Sequence, residues 1–211
     1  MANPTIKELQ NNEKYELIAE LNHNQIKDFV LKQLSVGGRI IRLFMIYQLL
    51  MILIGLFFFT RSIVFAFHDN PGPLFYSIAA LIFCFSFLII IHELLHGVAL
   101  KLTGAKQINF GGYLKKFIFY AEADQHVINR KQFAFIALTP LIVIKLTTLV
   151  GVILFYNQAI FFFLIFIMSA HSMFCAGDIG LLSIFYKNKE SDIYTFDVKE
   201  EKTSYYFKKI K

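Results

Sequence analysis

Residues 74–100 read LFYSIAALIFCFSFLIIIHELLHGVAL, an apolar run that ends at Lys101 and is interrupted by His92, Glu93 and His96. As a helix, such a run is long enough to cross the ~30 Å hydrocarbon layer of a bilayer. Ionisable side chains at that depth are costly and mark functional positions. His92-Glu93-Leu94-Leu95-His96 places two imidazoles four residues apart. On a helix they stand about 40° apart around the axis and about 6 Å along it, so both can reach one metal ion. Glu93 sits beside that ion, where its carboxylate can take a proton from water. Zinc suits the set, because it accepts imidazole and carboxylate in a tetrahedral site with one position open.

Outward from this stretch, further apolar runs appear. Leu43–Thr60 holds only Gln48 as a strongly polar residue, and residues 132–156 and 159–186 are joined by Asn157-Gln158. With Asn70-Pro71-Gly72-Pro73 as a turn, four spans are predicted at about 43–60, 74–100, 132–156 and 159–186. They form a metal-bearing membrane domain over 43–186, between an N-terminal segment (1–42) and a tail (187–211). Of the 21 Lys and Arg residues, six lie in 1–42, six in 101–131 and seven in 187–211, leaving only Arg61 and Lys145 elsewhere. That asymmetry predicts a multi-pass protein of the cell (inner) membrane with both termini cytoplasmic.

Composition agrees with the bilayer as a partner. The 211 residues are 56% hydrophobic and 17% charged, include 25 Phe, and have a mean hydropathy of +0.55. These figures exclude a disordered chain, and two cysteines exclude a disulfide scaffold. The net charge of +6 is explained by orientation, so no nucleic acid partner is expected.

Charged residues throughout 1–42 argue against a cleaved signal peptide. Leu17, Leu21, Ile26, Val30 and Leu34 recur at a spacing that predicts one or two short amphipathic helices. In 104–131, Gly111-Gly112 separates Lys106–Phe110 from Tyr113–Ala121, which reads as strands with a turn. Asp192–Val198 and Thr203–Lys208 read as a second hairpin around Lys199-Glu200-Glu201-Lys202. The predicted fold is an all-α membrane protein: four transmembrane helices, a cytoplasmic β-hairpin between helices 2 and 3, and a small C-terminal hairpin.

Two histidines need a third ligand. The soluble signature with downstream Gly and His is absent, since Ala99 and Leu102 occupy those places. The candidates are Asp178, His171, and the loop cluster Glu122, Asp124 and His126. His92 and Asp178 each stand nine residues before a lysine, Lys101 and Lys187, in spans that run the same way. Both therefore lie up to about 13 Å from the cytoplasmic boundary. Gly177 and Gly180 would let that helix loosen and a neighbour approach. His171 lies about 10 Å higher on a regular helix, where it can line a substrate cavity, stabilise an oxyanion or be a satisfied buried histidine. Glu122, Asp124 and His126 alternate along a possible strand, as a reserve ligand set or a solvated edge. Lys145, about 20 Å into span three, needs a partner or a water path, with Tyr156, His171 and Asp178 in view. Pro140 predicts a kink in the same span. Cys84 and Cys175 read as buried thiols.

The order of these elements resembles a known group. His92-Glu93-Leu94-Leu95-His96-Gly97, then Gly104-Ala105-Lys106 and a hairpin rich in Gly and aromatics, then Thr139-Pro140, then Gly177-Asp178, is similar to the site-2-protease-like intramembrane metalloproteases. The closest likeness is to the small bacterial putative zincin peptidase branch, over about residues 40–186. The resemblance implies zinc held by His92, His96 and Asp178, with Glu93 as general base. It also implies an unwound substrate segment added as a strand to the hairpin. One departure stands out. Where the site-2 group carries an Asn-Pro-Asp-Gly-like run, this chain has Cys175-Ala176-Gly177-Asp178-Ile179-Gly180. No appended PDZ or CBS domain fits in the chain.

The expected function is zinc-dependent hydrolysis of peptide bonds in membrane protein or peptide substrates near the cytoplasmic side. Its alternatives are a pseudoprotease or membrane scaffold that retains a metal site, and a metal-ion transporter using His171, His92, Asp178 and Lys145 at staggered depths.

Overall fold

The structure is a computed structural model that describes residues 3–113, 118–187 and 191–210. In chain order its elements are α1 (Ile6–Leu9), β1 (Tyr15–Asn22), a 3-10 turn (His23–Gln25), α2 (Ile26–Val36), α3 (Arg39–Phe67), α4 (Gly72–Cys84), α5 (Phe87–Leu102), β2 (Asn109–Tyr113) and β3 (Ile118–Glu122). These are followed by β4 (Ile128–Asn129), α6 (Arg130–Leu154), α7 (Ile160–Phe174), α8 (Ala176–Lys187), β5 (Ile193–Val198) and β6 (Thr203–Lys209). They fall into two compact units. One comprises Met1–Ile41, Glu93–Thr139 and Gly177–Lys211; the other comprises Arg42–His92 and Pro140–Ala176.

Two helices, α3 and α6, are each long and apolar enough to cross a membrane. The pairs α4–α5 and α7–α8 bend by 49° and 45° at short breaks, so among the described residues two helices, or up to four if each bent pair is one span, are long and apolar enough to cross a membrane. The second and fourth predicted spans are thus broken helices. A break in an apolar helix requires other partners for the freed backbone groups. Side chains supply some of them: Ser86 Oγ donates to the Ile82 carbonyl (2.8 Å), and Cys175 Sγ to the His171 carbonyl (3.5 Å).

In the helical unit, small residues allow close approach. A Cβ on Gly55 would lie 2.9 Å from Ser169 Cβ of α7, and one on Gly151 2.8 Å from Leu164 Cδ1. Aromatic rings fill the rest. Phe58 meets Phe161 edge-on at 5.0 Å, and Phe83 of α4 lies 5.5 Å from Phe163 of α7. Leu43, Ile46, Leu50, Leu53 and Phe57 of α3 remain exposed, an apolar face at home in hydrocarbon.

The other unit carries more strand than the sequence predicts. An antiparallel four-stranded sheet has the order β1-β6-β5-β4, and β2 pairs with β3 separately. The C-terminal hairpin is the predicted one. The N-terminal segment differs: Leu17 and Leu21 belong to strand β1, and only Ile26, Val30 and Leu34 share helix α2. β1 pairs with β6 from Tyr15↔Lys209 to Asn22↔Thr203. The edge of the C-terminal hairpin gains a partner there, so long-range pairing overrides the local spacing. Gly111 and Gly112 also differ from expectation, because they sit inside β2 opposite Tyr120 and Phe119. A Cβ on Gly111 would lie 2.5 Å from the Tyr120 ring, so glycine here admits an aromatic cross-strand neighbour. Residues 114–117, within the predicted strand Tyr113–Ala121, lie outside the described residues.

Two close approaches frame the motif helix and the aspartate. A Cβ on Gly97 would lie 2.6 Å from Phe110 Cζ, which brings β2 against α5 one residue after His96. A Cβ on Gly180 would lie 2.9 Å from Val30 Cγ1, which seats α2 on α8 two residues after Asp178.

A buried polar chain joins the strands. His23 Nε2 lies 3.2 Å from Ser204 Oγ, which donates to Asp197 Oδ1 at 2.6 Å. On its other side His23 Nδ1 lies 3.4 Å from Glu122 Oε2. Burial pushes the Asp197 carboxyl up to about 6. Glu122 and Asp124 add to this, against the pull of Ser204 and the Ala123 backbone. Burial raises the Glu122 carboxyl and lowers the His23 imidazole from their usual ranges.

Two outcomes are expected. Gly180→Leu drives a side chain into a stiff β-branched neighbour and costs about 1–3 kcal/mol in unfolding of the detergent-solubilised protein. Val30→Ala in the same chain recovers most of that loss. For Asp197, the native state holds its proton more tightly than the unfolded chain, so its contribution to stability falls as pH rises from about 4 to about 6. Asp197→Asn lacks that loss. Its melting temperature relative to wild type rises across this window and levels off above it, a gain of at most about 3 kcal/mol.

Candidate metal centre

Helix α5 carries His92, Glu93 and His96 on two successive turns, and it runs unbroken from Phe87 to Leu102. The helix itself therefore sets the spacing of the two imidazoles, with Glu93 three residues before His96 and on its face. His92 and His96 are buried and Glu93 is half-buried.

His96 Nδ1 lies 3.0 Å from the Ile136 carbonyl of α6. That carbonyl is available for a reason readable in the chain. Four residues on stands Pro140, inside α6, and proline has no N–H to close the helical bond back to residue 136. A carbonyl oxygen only accepts, so His96 must donate from Nδ1. Its Nε2 faces Asp178 Oδ1 at 3.2 Å. In a neutral imidazole this Nε2 is an acceptor, and an ionised carboxylate is acceptor-only as well. Two acceptors at this separation repel unless a cation, proton or metal, is held between them. Two ligands each about 2 Å from a tetrahedral zinc lie roughly 3.3 Å apart, so the pair fits a metal without rearrangement.

Asp178 reaches this position because α7 ends at Cys175 and α8 begins at Ala176. The break puts Asp178 in a first helical turn, where the partial positive charge of the N-terminus favours a carboxylate. Gly177 meets nothing a Cβ would touch, whereas Gly180 makes the close approach to α2.

On α7, His171 is fully buried and its Nε2 lies 3.0 Å from His92 Nδ1. Cys175 Sγ lies 3.8 Å from His171 Nδ1. Among the described residues, His92, His171 and Cys175 form a donor set able to take an ion, and on α5 His92 stands one turn before His96, which faces Asp178.

The remaining predicted residues have other partners. Lys145 Nζ donates to the Met168 carbonyl, lies 3.2 Å from Met51 Sδ and sits over the Tyr47 ring at 5.2 Å. It is thus satisfied by a carbonyl, a thioether and an aromatic face rather than by Tyr156, His171 or Asp178. Glu122 ends β3 beside His23, Asp124 accepts from the Lys199 amide at 2.9 Å, and His126 Nε2 lies 3.3 Å from Thr103 Oγ1. All three are tied into the sheet region. α6 continues as one helix through Pro140.

Sequence reasoning missed the Ile136 carbonyl. The signal was present, since a proline within a helical run always frees the carbonyl four residues earlier. It also missed His23, Asp197 and Ser204, whose meeting depends on strand pairing across most of the chain.

Comparison with known proteins adds one finding. No curated protein and no solved structure matches the chain. A family described as "Putative zincin peptidase" matches residues 85–193, just over half of the chain and a stretch that holds His92, Glu93, His96, Ile136 and Asp178, so the chain belongs to that zincin-like family.

Proposed function

We propose that this protein is an intramembrane zinc endopeptidase of site-2-protease-like design, with His92, His96 and Asp178 as metal ligands and Glu93 as general base. One observation carries the reading. His96 Nε2 faces Asp178 Oδ1 at 3.2 Å while Nδ1 is engaged by the Ile136 carbonyl, so with a neutral imidazole both facing atoms are acceptors and a cation fits between them. His92, one turn before His96 on the same helix, supplies the third donor. A zincin family implies zinc, and this donor set of two imidazoles and a carboxylate is one that zinc accepts.

When bound, zinc supplies a Lewis acid that polarises the scissile carbonyl and makes water more acidic. The chain's own residues do the rest. Glu93 accepts a water proton on its carboxylate and later passes it to the leaving amine. Asp178 neutralises part of the metal charge. The apolar side chains around α5 keep the dielectric low, which strengthens each of these interactions. Substrates are membrane proteins cut near the cytoplasmic side of the cell membrane, where both termini of this chain lie, in line with the segregation of basic residues. The close approach of Phe110 to Gly97 sets β2 beside α5, which supports a role of the β2–β3 hairpin in pairing with an unwound substrate segment. Asp178 without the Asn-Pro of the site-2 group makes this a variant of that substrate turn.

Purified protein is expected to hold one zinc per chain. The His92→Ala/His96→Ala double variant is expected to lose it, and Asp178→Ala to weaken it, all read by metal analysis after desalting. Zinc retained in the double variant refutes the assignment. Glu93→Gln should keep the metal and lower cleavage of single-span test peptides, followed by mass spectrometry, at least about 100-fold. Cleavage at the wild-type rate removes Glu93 from its role.

A further inference from the structure

The contact between His92 and His171 has a chemical consequence for the metal centre. His92 Nδ1 and His171 Nε2 are 3.0 Å apart, with ring centroids at 5.2 Å and planes inclined by 55°. Between two neutral imidazoles at this distance, one nitrogen carries the proton and the other accepts it. For His92 the choice decides ligation. A proton on Nδ1 leaves the Nε2 lone pair for a metal, whereas a proton on Nε2 blocks that atom. We propose that His171 is a positioning residue: its Nε2 accepts the Nδ1 proton of His92 and so holds His92 as an Nε2 ligand. This inference rests on the zinc reading above.

Three observations support it. First, His96 is held the same way, its Nδ1 engaged by the Ile136 carbonyl at 3.0 Å. Both imidazoles of the motif then have their second nitrogen tied to a group outside the metal set, the usual arrangement for histidine ligands. Second, His171 itself is fixed. With Nε2 accepting, its own proton lies on Nδ1; Cys175 Sγ lies against the ring, 3.8 Å from Nδ1 and 3.9 Å from Nε2, and Phe174 packs edge-on at 6.4 Å. The ring has no exposure, so it has little room to turn away. Third, a buried imidazole without partners is costly in an apolar bundle, and this pairing satisfies two at once. The rival use of these atoms is a soft-metal site of His92, His171 and Cys175. The 3.0 Å nitrogen separation favours the hydrogen bond, because two ligands of one zinc lie roughly 3.3 Å apart.

The test measures zinc affinity of the full-length protein in detergent by chelator competition, alongside the visible spectrum of the cobalt-substituted form. His171→Leu removes the acceptor and should weaken zinc binding about 10–100-fold and alter the cobalt spectrum. His171→Gln places an amide oxygen near the position of Nε2 and should restore affinity to within about 5-fold of wild type. His171→Asn, whose oxygen falls nearer the position of Nδ1, should not. A merely structural role would lower the melting temperature of all three variants without separating Gln from Asn in metal affinity. If the Leu variant does not accumulate, the Gln and Asn pair decides the question alone. Equal affinities in wild type, Gln and Asn overturn the proposal. So does a cobalt–thiolate charge-transfer band that disappears in Cys175→Ser, since it would make the triplet a metal site. Wild type that binds no zinc fails at the earlier step and overturns the zinc reading itself.

Discussion

The hydrogen bond from His96 Nδ1 to the Ile136 carbonyl is the constraint on which the centre depends. A buried imidazole needs partners for its ring nitrogens, so its tautomer follows from the groups the fold provides. A regular helix provides none, because each carbonyl is already taken four residues on. Pro140 removes one such bond from α6 and leaves an acceptor pointing at α5. The residue that would ordinarily be read as a helix defect thereby orients His96, a proposed ligand. Asp178 depends on a second interruption of the same kind, the break after α7, which places a carboxylate at a fresh helix start.

These interruptions show how an apolar bundle accommodates chemistry. The predicted spans that carry the proposed ligands, the second and the fourth, are the two that are broken, whereas α3 and α6 pass unbroken. Broken helices expose backbone and aim side chains inward, and they are tolerated where neighbouring side chains take up the freed groups. Lys145 follows the same rule by another route. Its ammonium group is held by the Met168 carbonyl, a thioether and the Tyr47 ring.

Membership of the zincin-like family and the geometry at His96 rest on different grounds. The first is a likeness of sequence over residues 85–193, the second a matter of donors and acceptors. Both lead to a metal. The sheet region has a separate logic, in which the buried chain Glu122–His23–Ser204–Asp197 ties three strands and the N-terminal segment together. Of the reserve ligand set, Glu122 belongs to that chain, Asp124 accepts from the Lys199 amide and His126 meets Thr103.

What the chain alone determined was its local content. The apolar runs, the excess of basic residues between them, the two imidazoles four apart with a glutamate between, and the hairpins after α5 and at the C-terminus were all legible. Each follows from composition or from a helical or strand period within a few residues. What only the tertiary structure decided was pairing over distance. Leu17 and Leu21 have a spacing that suits a helix, yet they form a strand because β6 offers an unpaired edge. Gly111 and Gly112 look like a turn but lie within a strand so that the Tyr120 ring can lie across it. His171 read from sequence as a satisfied buried side chain ahead of a cavity wall or an oxyanion donor. Its contact with His92 at 3.0 Å depends on where α7 lies against α5, and no period in the sequence encodes that. Hydrogen bonds between side chains are short-ranged and directional, so residues 79 positions apart acquire a relationship only once the helices are packed.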